Sequence, residues 1–161
     1  MIDVWRIASA TPSYKADDTT GKGAELSGGR WNAIGKPMLY CADSPALACL
    51  ETMVHLNNTL PLNRYLVRVR IPQAVWGKRK IYTVKELDPQ WDAQPASMVS
   101  IEMGNTWLNQ QSQAILVVPS SIVVEQQVVL INPLHADTHK IKCEVMRKWL
   151  YDARARASYT A

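Results

Sequence analysis

The chain has 161 residues, of which 47% are hydrophobic and 20% charged, and its net charge is +4 with a pI near 9.0. This length and composition predict one globular domain over residues 1–161, and no stretch approaches the ~20 apolar residues of a membrane span. The amino-terminal residues combine an early acid with no long apolar block, so we expect no export signal and a location in the cytoplasm.

The cysteines and histidines do not predict a cross-linked or metal-bound protein. Cys41, Cys49 and Cys143 form an odd number without a C-x-x-C pair, which favours free, buried thiols in a reducing compartment. The three histidines have no ligand spacing relative to acids or cysteines, so no metal site is expected. Basic residues are scattered, and their densest cluster, at residues 77–80, is better explained as a solvated loop than as a nucleic-acid-binding patch.

The first part of the chain predicts two strands and a helix. Residues 3–9 form the first predicted strand, and a polar loop then leads to a second strand at residues 37–43. A helix is predicted to begin after Ser44, because serine is a common N-cap and Pro45 suits the first helical position.

The middle of the chain predicts a strand and a second helix. Residues 64–72 alternate apolar side chains with arginines, which is typical of a half-buried strand with one wet face. Residues 97–110 predict a helix in which Met98, Ile101 and Trp107 are spaced for packing.

The last part of the chain predicts two central strands, at residues 114–120 and 126–132, because both are short apolar runs bounded by turn residues. Residues 138–154 are ambiguous, since their first half alternates like a strand and their second half is compatible with a helix. No glycine-rich phosphate loop follows a strand. The expected fold class is α+β, with small mixed or antiparallel sheets flanked by helices.

Glu51 is the acid whose predicted environment is unusual. Leu47, Leu50 and Val54 form the predicted inward stripe of the first helix, and the helical period places Glu51 on the same face. A carboxylate in an apolar stripe is costly unless it is paired, hydrogen-bonded or open to a cleft. Glu51 is therefore a functional candidate, although a position at the edge of the stripe, reaching water or an arginine, explains the pattern equally well.

Arg30, Tyr40 and Ser112 are further candidates, each with a purely structural alternative. Arg30 follows Gly28 and Gly29, which allow the backbone to approach a ligand while the guanidinium grips an anion, but it could also cap a carbonyl or pair with an acid. Tyr40 ends an apolar strand and could be a core aromatic. Ser112 precedes a strand and could satisfy local backbone.

Four stretches between Trp5 and His135 form a recognisable combination, namely "VWRI", "GGRWNAIGKPMLYCADSPALACLE", "NQQSQAILVVPSSIV" and "VVLINPLH". Together, and in this order, they resemble the RES domain, the toxin half of a family of bacterial toxin–antitoxin modules. Trp91 fits a tryptophan of the family pattern, whereas residues 143–161 resemble the family only loosely. The combination of G-R-W, the Tyr40 strand, S-P-x-x-A-x-x-E and S-x-x-x-L-x-V-P-S is more specific than any one motif.

The resemblance implies a fold similar to that of ADP-ribosyltransferase toxins and an enzyme that consumes NAD as a substrate, without another cofactor. It implies that Arg30, Glu51 and Ser112 are the arginine, glutamate and serine for which the family is named. Arg30, with Arg6, would bind the pyrophosphate, and Tyr40 would stack on nicotinamide. Glu51 would bind the ribose and stabilise the developing cation, and Ser112 would position the substrate or Glu51.

The resemblance leaves the fate of the ADP-ribose open. The first expectation is that cleavage of the nicotinamide–ribose bond ends in transfer to water or phosphate, which would drain NAD and arrest growth. Transfer to a host protein is the alternative. A non-enzymatic module that binds nucleic acid is a third alternative. The expected partner is an antitoxin with an Xre-type helix-turn-helix domain, and the chain is expected to form a homodimer, without direct contact to nucleic acid or membrane.

Overall fold

The computed structural model describes residues 1–57 and 59–156. Within them, the strands are β1 (Ile2–Ser9), β2 (Leu39–Ala42), β3 (Arg64–Ile71), β4 (Lys80–Ile81), β5 (Ile115–Pro119), β6 (Gln127–Ile131) and β7 (Lys142–Lys148). The α-helices are α1 (Lys22–Ser27), α2 (Pro45–Met53), α3 (Gln73–Trp76) and α4 (Met98–Gln110). No helix in these residues is long and apolar enough to cross a bilayer.

The strands join in one mixed sheet with the order β4-β5-β6-β2-β1-β3-β7. Only β4 and β5 pair in parallel, and the other neighbours pair antiparallel. The α+β class expected from the sequence is therefore confirmed, with the strands united in a single sheet rather than several small ones.

The sheet is weakly joined at its centre. Strands β1 and β3 pair along their whole length, from Ile2 opposite Ile71 to Ser9 opposite Arg64. Strands β1 and β2, in contrast, share a single described pair, Trp5 opposite Ala42. The sheet therefore consists of two well-paired halves, β4-β5-β6-β2 and β1-β3-β7, which meet at one point beneath the start of α2.

Three clusters of buried apolar side chains cover the two faces of the sheet. One face carries the largest cluster, which includes Cys41, Val67 and Val129. On the other face, α4 covers the half that contains β5 and β6 through Trp107 and Leu108. The helix α2 covers the junction of the halves, where its buried residues pack with Ala42 and with residues of β1 and β3.

The crossing of α4 over the chain at Trp31 leaves no room for a side chain on the helix. A Cβ atom added to Gly104 would lie 1.7 Å from the carbonyl oxygen of Trp31 and 2.6 Å from its carbonyl carbon. The Asn105 side-chain oxygen accepts a hydrogen bond from the backbone N–H of Ala33 at 3.1 Å. The helix therefore fixes the backbone just after Arg30 by direct contact.

Most of the predicted elements are found, and several details differ. The N-cap is confirmed, since Ser44 Oγ accepts a hydrogen bond from the backbone N–H of Leu47 at 3.1 Å. The wet face of β3 is also confirmed, because its arginines are only half-buried while its alternate residues are buried. Met98 was expected to pack but is 61% exposed, because it is the first residue of α4 and lies outside the helix's contact with the sheet.

The end of the chain and three short elements were not resolved by the sequence pattern. Residues 142–148 form β7, followed by a 3-10 turn at residues 153–156, so the strand interpretation of the first half is confirmed. The short elements α1, α3 and β4 have too few residues for a periodic pattern. The three cysteines are free, as expected, although only Cys41 is fully buried.

Candidate active site

Glu51 and Ser120 form a hydrogen-bonded pair at one end of the candidate site. Glu51 lies in the last turn of α2, and Ser120 follows the last residue of β5. The Ser120 hydroxyl, which is fully buried, donates to Oε1 of Glu51 at 2.6 Å. A hydrogen bond from a neutral hydroxyl to a carboxylate is short and strong, so it fixes the orientation of the Glu51 side chain.

The Ser120 hydroxyl is held by the turn that follows β5. Its oxygen accepts hydrogen bonds from the backbone N–H groups of Ile122 and Val123, both at 3.0 Å. A serine hydroxyl has one donor and two acceptor positions, and all three are therefore used. The second oxygen of Glu51 has no hydrogen-bond partner within the part of the chain that the structure describes, which leaves it available to a ligand.

The helical period placed Glu51 correctly on the side of α2 that faces the sheet, although the stripe itself differs. Leu47 and Ala48 are the buried residues of α2 and lie one turn before Glu51. Leu50 is only half-buried, and Val54 lies beyond the end of the helix and is 56% exposed. Glu51 is half-buried, so it combines contact with the core and access to solvent.

Arg30 lies at the other end of the candidate site, in a turn where both preceding glycines are required by the backbone. Gly28 ends α1 with a φ of 68°, which a residue with a side chain rarely adopts. A Cβ atom on Gly29 would lie 2.7 Å from the hydroxyl oxygen of Tyr40. The glycines therefore serve the turn and its contact with Tyr40.

The hydroxyl of Tyr40 holds this turn together. It accepts a hydrogen bond from the backbone N–H of Trp31 at 2.9 Å and donates to the side-chain oxygen of Asn32 at 2.6 Å. The amide nitrogen of Asn32 in turn donates to the carbonyl oxygens of Ala24 and Lys36. Burial raises the pKa of the Tyr40 phenol well above its usual value, so the phenol stays neutral and can keep its donor role.

One nitrogen of the Arg30 guanidinium forms hydrogen bonds within the protein. Its Nη1 donates to the carbonyl oxygens of Trp91 at 3.0 Å and Ala93 at 2.9 Å, while the rings of Trp31 and Trp91 stack with centroids 6.2 Å apart. The carbonyl-capping alternative for Arg30 is therefore correct for Nη1. The Nε and Nη2 atoms make no hydrogen bond with described residues, and together they form one complete fork for an anion.

The two ends lie along one face of the sheet. Ala42, Val128 and Val118 stand opposite one another on β2, β6 and β5, so their side chains share a face. Tyr40 lies two residues before Ala42, and Ser120 lies two residues after Val118. Because side chains alternate along a strand, Tyr40 is on this face as well, about 7 Å along β2 from Ala42.

Arg6 is not on this face. Trp5 stands opposite Ala42 on the neighbouring strand, so the next residue, Arg6, points to the opposite side from Tyr40. Its Nη1 donates to the carbonyl oxygen of Asp18 at 3.2 Å. Burial raises the pKa of the Cys41 thiol to about 12, and the nearby Arg6 guanidinium opposes this shift. The structure therefore separates Arg6 from the other predicted site residues.

Ser112 is also away from Glu51. It is exposed and precedes β5, whereas Ser120 follows β5. Four steps of about 3.3 Å put the two ends of this strand about 13 Å apart. The expected serine neighbour of Glu51 is therefore corrected from Ser112 to Ser120. The signal for Ser120 was present in the sequence, as the last serine of S-x-x-x-L-x-V-P-S, but it was not distinguished from the first.

One described cavity lies away from this site. It measures about 430 Å³ and lies beside β4 and α4, where Lys80, Glu102 and Trp107 are among its lining residues. Arg30, Tyr40 and Glu51 do not line it. The candidate site is therefore defined by its side chains on this face of the sheet and not by that cavity.

A solved structure of the MbcT–MbcA toxin–antitoxin complex of M. tuberculosis contains a chain that superposes with a TM-score of 0.58. The match covers 90% of this chain and 84% of that chain at 15% sequence identity, and it shows a common fold.

The RES domain model matches residues 3–154, and the chain therefore belongs to the RES domain family. It is 51% identical to a Sphingobium sp. (strain YBL2) protein named Prs ADP-ribosylating toxin, over 93% of this chain and 94% of that protein. It is also 37% identical to a Photorhabdus laumondii protein named Toxin Res, over 79% of this chain and 80% of that protein.

These relatives confirm the family and the toxin class expected from the sequence. The family match also includes β7, whose sequence resembled the family only loosely. The segment from residue 143 to residue 154 is therefore part of the family domain.

Proposed function

We propose that this chain is a toxin that cleaves the nicotinamide–ribose bond of NAD and transfers the ADP-ribose to a protein. The observation that carries the proposal is the hydrogen bond from Ser120 to Oε1 of Glu51, which fixes one carboxylate oxygen and leaves the other free. A fixed and half-buried carboxylate is suited to binding ribose hydroxyls and stabilising positive charge.

Arg30 would bind the pyrophosphate. Its Nη1 is occupied by two carbonyl oxygens, so the guanidinium cannot rotate freely and presents its Nε–Nη2 edge in a fixed direction. A planar edge with two parallel N–H donors matches two phosphate oxygens. In this arrangement, Arg30 binds the substrate with one edge and the loop at residues 91–93 with the other.

Tyr40 and Glu51 would act on the nicotinamide riboside part. The ring of Tyr40 would stack on nicotinamide, while its hydroxyl continues to hold the backbone of Trp31. When the bond between nicotinamide N1 and ribose C1′ breaks, its electron pair leaves with nicotinamide, and C1′ becomes an oxocarbenium-like centre. The negative charge of Glu51 would stabilise this centre, and preorganised charge of this kind contributes a factor of about 10²–10³ in rate.

An acceptor nucleophile would then attack C1′ and lose its proton, so that one bond to C1′ replaces another. We favour a protein acceptor, because the relative with 51% identity is named an ADP-ribosylating toxin. Its name gives Prs as the modified protein, which makes Prs the first acceptor to test with this chain. Water or phosphate is the alternative acceptor, and the experiment below distinguishes them.

The decisive assay uses the purified chain with NAD that is labelled in its adenine moiety. Release of nicotinamide measures bond cleavage, and a labelled band in the presence of Prs or a bacterial extract measures transfer. We expect both with the wild-type chain and neither with Glu51→Gln. Nicotinamide release without a labelled band would assign water or phosphate as the acceptor, and the absence of release would reject the proposed activity.

Measurements in cells also distinguish transfer to a protein from NAD degradation. Induction of the chain alone should arrest growth. If the main reaction is NAD degradation, the cellular NAD content should fall before growth stops, whereas transfer to a scarce protein arrests growth at nearly constant NAD. Induction of Glu51→Gln to the same protein level is the control, and we expect it to grow normally.

We also propose that the chain acts in the cytoplasm and is held inactive by an antitoxin. The antitoxin would be an Xre-type helix-turn-helix protein, and this chain would be a homodimer within the complex. Support comes from the fold shared with a chain of a toxin–antitoxin complex and from the family relatives named as toxins. Co-expression with the neighbouring reading frame should give a complex that survives gel filtration and releases no nicotinamide. A complex as active as the free chain would reject inhibition by this partner.

A further inference from the structure

The segment that follows β7 contacts α2 beside Glu51. Tyr151 is 9% exposed, and its hydroxyl oxygen lies 2.7 Å from Oγ1 of Thr52, the residue after Glu51. Thr52 Oγ1 also donates to the carbonyl oxygen of Cys49 at 2.8 Å. A threonine hydroxyl has one proton, and here it goes to Cys49, so Tyr151 is the donor in its bond with Thr52.

The rest of this segment is tied to the sheet. The backbone N–H of Trp149 donates to the carbonyl oxygen of Arg64 at 2.9 Å, which extends the pairing of β3 with β7 by one residue. The ring of Tyr151 belongs to the same buried cluster as Leu47 and Ala48 of α2. Tyr151 therefore connects the last turn of α2 with the β1-β3-β7 half of the sheet.

The contact of Tyr151 is with the last turn of α2, which is the part of the helix most prone to fraying. The helix has nine residues, and Glu51 and Thr52 are in its last turn, where backbone carbonyls lack partners within the helix. Short helices fray at their ends unless tertiary contacts hold them. Glu51 is itself held from the opposite half of the sheet by Ser120, after β5. The end of α2 is thus fastened to both halves.

We propose that Tyr151 is a positioning residue for Glu51, which holds the end of α2 through Thr52 so that the carboxylate keeps its hydrogen bond with Ser120. The proposal rests on the proposed NAD-cleaving function of Glu51. Tyr151 does not touch the substrate in this arrangement. Loss of its hydroxyl leaves Arg30 and Tyr40 unaffected and changes only the precision with which Glu51 is oriented.

The test compares Tyr151→Phe with the wild-type chain in the nicotinamide-release assay. The variant keeps the buried ring and loses only the donor to Thr52, so we expect kcat to fall about three- to tenfold while KM for NAD changes less than about twofold. Tyr65→Phe is the matched control, because Tyr65 is half-buried and its hydroxyl makes no hydrogen bond with described residues. We expect it to retain wild-type kcat.

Variants of Thr52 separate the hydrogen bond from general packing. Thr52→Val has the same shape without an acceptor and should reduce kcat as Tyr151→Phe does. Thr52→Ser keeps the hydroxyl and should restore kcat to within about twofold of wild type. The double variant Tyr151→Phe/Thr52→Val should be no slower than Thr52→Val alone, since Thr52→Val has already removed the bond that Tyr151→Phe removes. Additive losses would show that the two residues act separately and would overturn the proposal.

A measurement without NAD tests the position of α2 directly. Hydrogen exchange of peptides that cover residues 47–55 should be faster in Tyr151→Phe than in Tyr65→Phe and wild type, under conditions where all three are folded by circular dichroism. Unchanged exchange would overturn the proposal. If the wild-type chain releases no nicotinamide, the proposed function fails, and the exchange result still decides whether Tyr151 holds α2.

Discussion

Glu51 is placed by a regular helix and one side-chain hydrogen bond, whereas Arg30 is placed in a turn outside any helix or strand and is held from several directions. At the Glu51 end, the partner Ser120 is itself fixed by two backbone N–H groups. At the Arg30 end, the surrounding backbone is held by Tyr40, Asn32 and the close approach of α4 at Gly104.

This difference indicates how each end tolerates change. The orientation of Glu51 depends on a few directional bonds, so single side-chain substitutions there should affect activity more than stability. The position of Arg30 depends on close packing around its turn, so substitutions that alter the packing should unfold the protein or displace the turn. The predictions that follow test this contrast in order of decreasing expected effect.

The largest effect on activity is expected for Glu51→Gln. The amide keeps the size and the acceptor for Ser120 but removes the charge that would stabilise the oxocarbenium-like centre. Loss of comparable electrostatic stabilisation costs a factor of about 10²–10³ in kcat. Nicotinamide release measures the loss, and thermal unfolding should show a midpoint close to that of the wild type. Wild-type turnover would place the reaction elsewhere on the chain.

The largest effect on stability is expected for Gly104→Ala. The added Cβ would fall 1.7 Å from a backbone carbonyl oxygen, which cannot move without displacing the Trp31 turn. We expect a loss of about 3 kcal/mol or more in the free energy of unfolding, at the upper end of overpacking effects. Gly77→Ala is the control, since its nearest contact would be 3.3 Å, and urea unfolding of both variants gives the comparison.

An intermediate effect is expected for Ser120→Ala. It removes the hydrogen bond to the Glu51 carboxylate, and bonds to charged groups contribute about 1.5–3 kcal/mol, which corresponds to a loss of about 10- to 150-fold in kcat/KM. Ser112→Ala is the matched control and should retain activity within about twofold. The opposite result, with Ser112 required and Ser120 dispensable, would return the catalytic role to the serine first expected from the sequence.

The smallest of these effects is expected for Arg30→Lys. The ammonium group can still donate to the carbonyl oxygens of Trp91 and Ala93, so stability should change little. It cannot reproduce the planar fork, and we expect kcat/KM for NAD to fall about tenfold, which corresponds to ~1.4 kcal/mol. Arg30→Ala, which loses both functions, should lose both activity and stability. Equal stability of the two variants would show that the carbonyl contacts are dispensable.

Local patterns in the sequence predicted the Glu51 end well. The N-cap at Ser44 and the helical period were sufficient to place Glu51 on the face of α2 toward the sheet. They did not identify its partner, because two serines flank β5 and the contact that selects Ser120 joins residues 69 positions apart. Only the register of α2 over the end of β5 makes that selection.

The Arg30 end was less accessible to sequence reasoning. Its glycines correctly indicated an unusual backbone, but the atoms that require them belong to the turn itself and to Tyr40. The carbonyl partners of Arg30 lie 61 and 63 positions further along the chain, in a loop without periodic pattern. The strand β1 was predicted correctly, yet the side on which Arg6 lies follows from its pairing with β2, which local patterns do not encode.

The hydrogen bonds that orient Arg30 and Glu51 determine when the site is completed during synthesis of the chain. Arg30 is held by Trp91 and Ala93, which follow it by 61 and 63 positions, and Glu51 is held by Ser120, which follows it by 69 positions. A nascent chain that stops before β5 contains every atom of the guanidinium and the carboxylate but lacks the contacts that orient them. The orientation of both side chains is therefore completed only after Ser120 has been synthesised.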